Sequence, residues 1–242
     1  MRVRGVLTMV ALAGGWSWGC SGNGTATEEA RWAALREEMV TTQIAARGVR
    51  DANVLSALRR VPRHLFVPAD VRPEAYADHP LPIGEGQTIS QPYIVGLMTE
   101  LLDVKAGDKV LEVGTGSGYQ AAVLAAMGCE VYTVEIRPEL AREAEKRLVS
   151  VGAPHVHVRA GDGYAGWPEV APFAGVIVTA APERVPEPLL NQLKDGGRMV
   201  IPVGAFYQQL KVITRRGGNE FPERDVIPVR FVPMTGEVER KP

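Results

Sequence analysis

Val110-Leu111-Glu112-Val113-Gly114-Thr115-Gly116-Ser117-Gly118-Tyr119-Gln120 decides how this chain folds. Val110, Leu111 and Val113 form a short apolar run with β-branched residues, three glycines follow at alternate positions, and AAVLAAM resumes a helical spacing of small and apolar side chains. The pattern predicts strand, tight turn, helix. A turn of this kind needs glycine because glycine takes positive φ and has no Cβ to hold a ligand away from the backbone. The same glycines also suit a purely structural turn, and the motif alone does not separate the two readings. Its spacing is G-x-G-x-G, not the G-x-G-x-x-G that sets a pyrophosphate over a helix N-terminus, which argues against a dinucleotide.

Downstream context favours a ligand. Glu130 to Glu135 is a second strand pattern, and Glu135 falls about 20 residues past the glycines, where an acid can accept both hydroxyls of a ribose. A third strand pattern, His155 to Arg159, ends in Gly161-Asp162-Gly163, and an acid flanked by glycines suits an adenine amino group. Glu112, Glu135 and Asp162 therefore sit at the ends of three successive strands, the side on which open α/β sheets bind ligands.

EVGTGSGYQ, VEIRP and GDGY resemble the cofactor motifs of S-adenosylmethionine-dependent methyltransferases. VPRHLFVP together with GEGQTISQPYIVGLMTELL is similar to the protein-L-isoaspartate O-methyltransferase family in particular, and the likeness runs from about Glu37 to about Gly236. The TISQP block is far more specific than the glycine loop. The resemblance implies a three-layer, Rossmann-like α/β fold, and methyl transfer from S-adenosylmethionine to the α-carboxylate of L-isoaspartyl residues in damaged proteins and peptides. It implies Ser90 as the active-site residue, with Thr88, Ile89 and Gln91 shaping the substrate pocket. Glu112, Gly114, Gly116, Gly118, Glu135, Asp162 and Gly163 are the implied cofactor residues. The family usually has an aspartate where this chain has Ala174, so any role of that acid is absent here.

Composition agrees with one sizeable domain, residues 27–242. The chain has 242 residues, 45% apolar and 23% charged, an ordinary globular balance. A net charge of −1 gives no electrostatic reason to expect nucleic acid or an anionic membrane as a partner. Oligomeric state has no sequence signature here. Cys20 and Cys129 lie in such different contexts that neither a disulfide framework nor a metal site is expected, and Cys129 reads as a small core residue. Residues 1–26 read as a segment outside the domain. Arg2 and Arg4 precede the apolar run Val6 to Ala13, too short to span a bilayer, and small residues lead to Gly19-Cys20. One reading is an export signal with Cys20 as a lipoprotein's acylated cysteine. The other is a disordered extension of a cytoplasmic protein, favoured by the cofactor, which is made and kept in the cytoplasm.

Thr27 is expected to cap a helix running to Gly48, and Asp51 a second with the stripe Val54, Leu55, Leu58 and Val61. Arg59, Arg60 and Arg63 read as a solvated basic face, His64 as a structural or surface residue rather than a catalytic one, and Arg63 to Pro68 as an extended link. Asp78 to Pro92 reads as a long ordered loop in which Ser90 caps the helix opening at Pro92. Ala174 to Ala181 is apolar enough for a central parallel strand. Val185 to Leu193 suits a helix, and Asp195 to Arg198 a turn before MVIPVG. Gln209 to Thr214 and Val226 to Phe231 predict an antiparallel hairpin at the sheet edge.

Overall fold

The computed structural model describes residues 23–153 and 155–240. Cys20 and the signal-like stretch up to residue 22 lie outside the described residues.

Helix α1 (Asn23–Glu38) passes into a π-helical turn, Met39–Ile44, and a 3-10 turn, Ala45–Arg47, before Gly48 stops it at φ 101°. α1 starts before the expected cap Thr27. The continuation is wound more loosely than a helix, so that Met39, Val40 and Ile44 are all buried. α2 (Ala52–Arg60) opens as expected: the Asp51 carboxylate accepts from the backbone N–H groups of Asn53 and Val54. The presumed loop contains a two-stranded hairpin, β1 (Leu81–Gly84) with β2 (Gln87–Ile89). Glu85 and Gly86 turn it, both at positive φ, a geometry that matches the twist of paired strands.

After α3 (Pro92–Leu102) the main sheet begins with β3 (Lys109–Val113), followed by α4 (Tyr119–Ala126), β4 (Glu130–Glu135), α5 (Pro138–Ser150), β5 (Val156–Ala160) and β6 (Phe173–Val178). The short α6 (Glu187–Asn191) leads into β7 (Leu193–Val203), then β8 (Gln208–Thr214) and β9 (Glu223–Val229). The helix expected over Val185 to Leu193 is thus one and a half turns, and the turn expected at Asp195 to Arg198 belongs to β7. The strands run in the order β5-β4-β3-β6-β7-β8-β9. The first five are parallel, and β8 and β9 add antiparallel at one edge. This is the expected mostly parallel sheet with an edge hairpin. The chain moves outward from β3 to β5, then returns to lay β6 against β3. Ligands of open sheets bind above such a reversal.

The basic cluster is not a solvated face throughout. Arg59 does pair with Glu37 at the surface. Arg63 is fully buried, within a 3-10 turn, Arg63–Phe66, where an extended link was expected. Its Nε donates to the Ala75 carbonyl and its Nη2 to the Ser90 carbonyl, each at 2.7 Å, and its guanidinium lies 4.9 Å from the centre of the Tyr119 ring. Burial lowers its pKa to about 10, so it stays charged at neutral pH. The ion thus exchanges water for two carbonyls and an aromatic face.

His64 has the structural role expected of it. It is buried, stacks on Trp32 at 4.7 Å, and shares a 2.8 Å hydrogen bond with the Tyr76 hydroxyl. Desolvation, reinforced by Arg36 and Arg72, pulls its pKa down to about 4. An unfolded chain takes up this proton near pH 6.5, whereas the fold resists it until about pH 4. The stability that neutral His64 contributes is therefore full above pH 6.5 and is lost as the pH falls towards 4. Thermal unfolding of His64→Phe, which keeps the stacking but has no proton to bind, should show a shallower loss of Tm than the native chain over that interval.

Candidate functional site

A cleft opens at the reversal point, walled by the end of β3, the ends of β4 and β6, the β1–β2 hairpin and the segment Val232 to Thr235. Leaving β3, the backbone turns through Gly114, Gly116 and Gly118, all at positive φ. Gly114 is needed for a second reason. A Cβ there would stand 2.3 Å from Thr179 Oγ1, which donates to the Gly114 carbonyl at 2.6 Å and reaches that of Val113 at 3.1 Å. The end of β6 thus clamps the turn directly.

Glu112 and Thr133 are register partners on β3 and β4, which explains the first polar contact of the site. Thr133 Oγ1 donates to Glu112 Oε2 at 2.6 Å, and the Thr115 hydroxyl lies 2.6 Å from Thr133 Oγ1. Since Thr133 has one proton and gives it to the carboxylate, Thr115 must be the donor between the two hydroxyls. The other carboxylate oxygen, Oε1, is buried without a partner. Desolvation, with a smaller contribution from Glu135, pushes the Glu112 carboxyl up to about 8 against the opposing Thr133 bond. A fully buried acid with one oxygen unmet, in the wall of a cleft, is a site prepared for a cationic or N–H donor.

Glu135, at the tip of β4, is also buried. Its Oε2 accepts from Gly116 N–H at 2.8 Å and its Oε1 from Arg137 N–H at 3.0 Å. The carboxylate is thereby fixed beside the glycine turn, where its remaining lone pairs can meet a pair of hydroxyls. Gly163 sits behind β3, where a Cβ would come within 2.5 Å of Val113 Cγ1.

Thr88, Ile89 and Ser90 enter the cleft from the hairpin side. Ser90 does not cap α3: Gln91 occupies the N-cap position, without a side-chain cap bond. What fixes Ser90 is its own carbonyl, held by buried Arg63. The hairpin is tied across the mouth of the cleft by Arg137, which lies 3.8 Å from Glu85 and, with the Gln87 amide turned so that its oxygen faces the guanidinium, donates to that oxygen through Nε and Nη2 at 3.2 Å.

Eight of the eleven expected site residues therefore line one cleft: Thr88, Ile89, Ser90, Glu112, Gly114, Gly116, Glu135 and Gly163. Gln91, Gly118 and Asp162 do not. Gly118 instead lets α4 approach α5, since a Cβ there would press on Leu148 and Ala144 at 3.3–3.4 Å. Asp162 accepts from the N–H groups of Tyr164 (2.9 Å) and Glu237 (2.7 Å), which fixes its carboxylate and, as for Glu135, leaves lone pairs open. Ala174 lies at the opening end of β6, away from the cleft, so the acid usual at that position would not have faced a ligand here. Sequence reasoning missed Thr179, Ser117 and the segment Val232 to Thr235. Thr179 did carry a signal, a lone hydroxyl closing an apolar strand run. Among the described residues, no group of three His, Cys, Asp or Glu side chains is placed to hold a metal ion.

The site fits S-adenosylmethionine by its own features: an unmet buried acid for an ammonium group, a second acid for ribose hydroxyls, and a backbone floor without side chains. Comparison with known proteins agrees. The protein-L-isoaspartate(D-aspartate) O-methyltransferase family model matches residues 34–239. A protein-L-isoaspartate O-methyltransferase of Gloeobacter violaceus is 56% identical over 201 residues, 82% of this chain and 98% of its own length. Protein-L-isoaspartate O-methyltransferase 2 of Shewanella sediminis is 53% identical over 208 residues, 85% of either chain. A solved protein-L-isoaspartate O-methyltransferase superposes with a TM-score of 0.76 at 28% identity, covering 84% of this chain and 67% of that one. A Plasmodium falciparum structure, solved in complex with S-adenosyl-L-homocysteine, shares the fold with a TM-score of 0.72 at 23% identity. With a family model spanning most of its length and relatives more than half identical to it, the chain belongs to the protein-L-isoaspartate(D-aspartate) O-methyltransferase family.

Proposed function

We propose that the chain repairs damaged proteins by methylating the α-carboxylate of L-isoaspartyl residues, with Ser90 holding the acceptor. Glu112, Gly114, Gly116, Glu135 and Gly163 would form the S-adenosylmethionine site. What carries this reading is that the hydroxyl-bearing segment Thr88 to Ser90 and the strand-end acids wall the same cleft.

When bound, S-adenosylmethionine supplies a methyl group on a positively charged sulfur, and the methyl carbon exchanges its sulfur bond for one to a carboxylate oxygen. An α-carboxylate has a pKa of about 3.5 and is ionised at neutral pH, so no general base is required. The protein's task is alignment and exclusion of water. Ser90 is suited to orient the carboxylate by donating its hydroxyl proton, from a backbone that Arg63 fixes. Thr88 and Ile89 border the acceptor. Gln91 acts at one remove, by starting α3, Gly118 acts on the cofactor side by fixing α4, and Asp162, held by two backbone donors with lone pairs to spare, is suited to the adenine amino group. Glu135 is suited to the ribose hydroxyls. Glu112 is suited to the amino group of the methionine part, and a cation beside it would draw its carboxyl back to the ionised form. The need for this cofactor supports the cytoplasm as the working compartment. No helix among the described residues is long and apolar enough to cross a membrane.

Ser90→Ala should lower kcat for an isoaspartyl peptide by about 10- to 1000-fold, in the range of one lost charge-orienting donor. Cofactor affinity measured by calorimetry should stay the same, and an equal loss of both would contradict the assignment. Glu135→Ala should instead weaken cofactor binding by more than tenfold, roughly the worth of a lost charged hydrogen bond.

Glu112 gives a pH test. Its carboxyl holds a proton up to about pH 8 in the fold but only to about 4.5 when unfolded, so the free protein loses stability as the pH rises between those values. Glu112→Gln should flatten this fall in Tm. The native chain should gain cofactor affinity as the pH approaches 8, and the substitution should abolish that gain.

A further inference from the structure

The α-carboxylate to be methylated belongs to a residue within a chain, so its neighbours must leave the cleft by some route. On one side the β1–β2 hairpin, tied down by Arg137, crosses the mouth. On the other side the wall at Pro233 and Met234 also borders a second, larger groove of about 1220 Å³. Cleft and groove lie on either side of these two residues, which form their common wall. The volume of the groove exceeds the roughly 300–1000 Å³ of a small-molecule pocket, which suits a run of side chains better than a single small ligand.

The far rim of the groove is the tip of the β7–β8 hairpin. It carries Phe206 and Tyr207, 98% and 95% exposed, the two most exposed large apolar side chains among the described residues. Two adjacent aromatic rings standing free in water are a cost to a monomer unless something covers them in use. The tip is fixed and ready for that. Gly204, at φ 129°, approaches the Tyr207 carbonyl so closely that a Cβ would meet it at 2.1 Å. Below it, the Gln208 amide is bonded twice to the Phe231 backbone, at 3.1 and 2.6 Å. With the backbone already set, only the rotamers of the two rings remain to be ordered on binding.

We propose that this groove is the binding site for one flank of the isoaspartyl substrate, and that Phe206 and Tyr207 select apolar or aromatic side chains there. The proposal rests on the reading of the cleft given above. It makes the enzyme selective for damage within apolar sequence, the kind exposed when a protein unfolds locally.

The test uses the full chain and hexapeptides with isoaspartate flanked on its N-terminal or its C-terminal side by either Phe-Leu or Ser-Gln. Peptide charge is held constant because Arg184 and Arg230 line the same groove. The native chain should prefer a Phe-Leu flank by about tenfold in kcat/KM, on one side only, the equivalent of about 1.4 kcal/mol. In Phe206→Ser/Tyr207→Ser that preference should fall to about one. Fluorescence anisotropy of the same peptides on protein saturated with S-adenosyl-L-homocysteine should change in parallel. A native chain without preference, or one whose preference survives the double substitution, overturns the proposal. So does sedimentation showing that the native chain dimerises through this tip and the variant does not, since the rings would then belong to a second copy. Loss of peptide binding in the variant, with no methylation by the native chain, would overturn the assigned reaction and leave the groove standing.

Discussion

The turn at the end of β3 is gripped from two strands at once, and the rest of the site takes its position from that grip. From β6, the Thr179 hydroxyl bonds the Gly114 carbonyl so closely that no side chain could fit between them. From β4, the Glu135 carboxylate holds the N–H of Gly116. Both contacts exist because the strand order reverses here, setting β4 and β6 on opposite sides of β3. The glycines are thus a consequence of topology as much as of ligand binding. A turn pinned on both sides loses little conformational entropy when a ligand settles on it.

Holding the turn leaves the acids uneven. Glu135 is satisfied by two backbone donors and stays ready to accept hydroxyls. Glu112 is sealed in the sheet with a single hydroxyl donor and an unmet oxygen, a condition that costs the free protein stability near neutral pH. Function explains its retention better than packing does, because a leucine or glutamine would be easier to bury. Arg63 is the counterpart on the acceptor side. A buried cation without a carboxylate partner is expensive, and this one offsets part of the cost through the carbonyls of Ala75 and Ser90, while its Nη1 is buried without an acceptor. It thereby joins the α2 end, the chain before the hairpin and the Ser90 segment into one rigid piece.

The sheet and most of the cleft were legible because their signals are local. Strand patterns of four to six residues, glycines at alternate positions and acids at strand tips are all set by neighbours in sequence. What was not legible depends on contacts across the fold. Arg63 reads as one of three surface arginines, and only the convergence of the Ser90 and Ala75 carbonyls upon it makes burial tolerable. The hairpin at Leu81 to Ile89 was hidden because its strands are three and four residues long and are interrupted by Pro82, although Glu85-Gly86 is a recognisable turn. Asp162 reads as a ligand contact from its glycine neighbours, and its second tie, to Glu237 75 residues away, has no local signal.

That last contact bears on how the two halves of the site communicate. Asp162 ties the C-terminal segment to the loop containing Gly163, which lines the cofactor end of the cleft. A few residues earlier, the same segment supplies Pro233 and Met234, the wall shared by cleft and groove, and its backbone is bonded to Ala181 at the end of β6. The segment therefore links the chain leaving β5, at Asp162, with the chain leaving β6, at Ala181. Asp162 is thus a fastening of the segment that walls both cleft and groove, with acceptor capacity left over on its carboxylate.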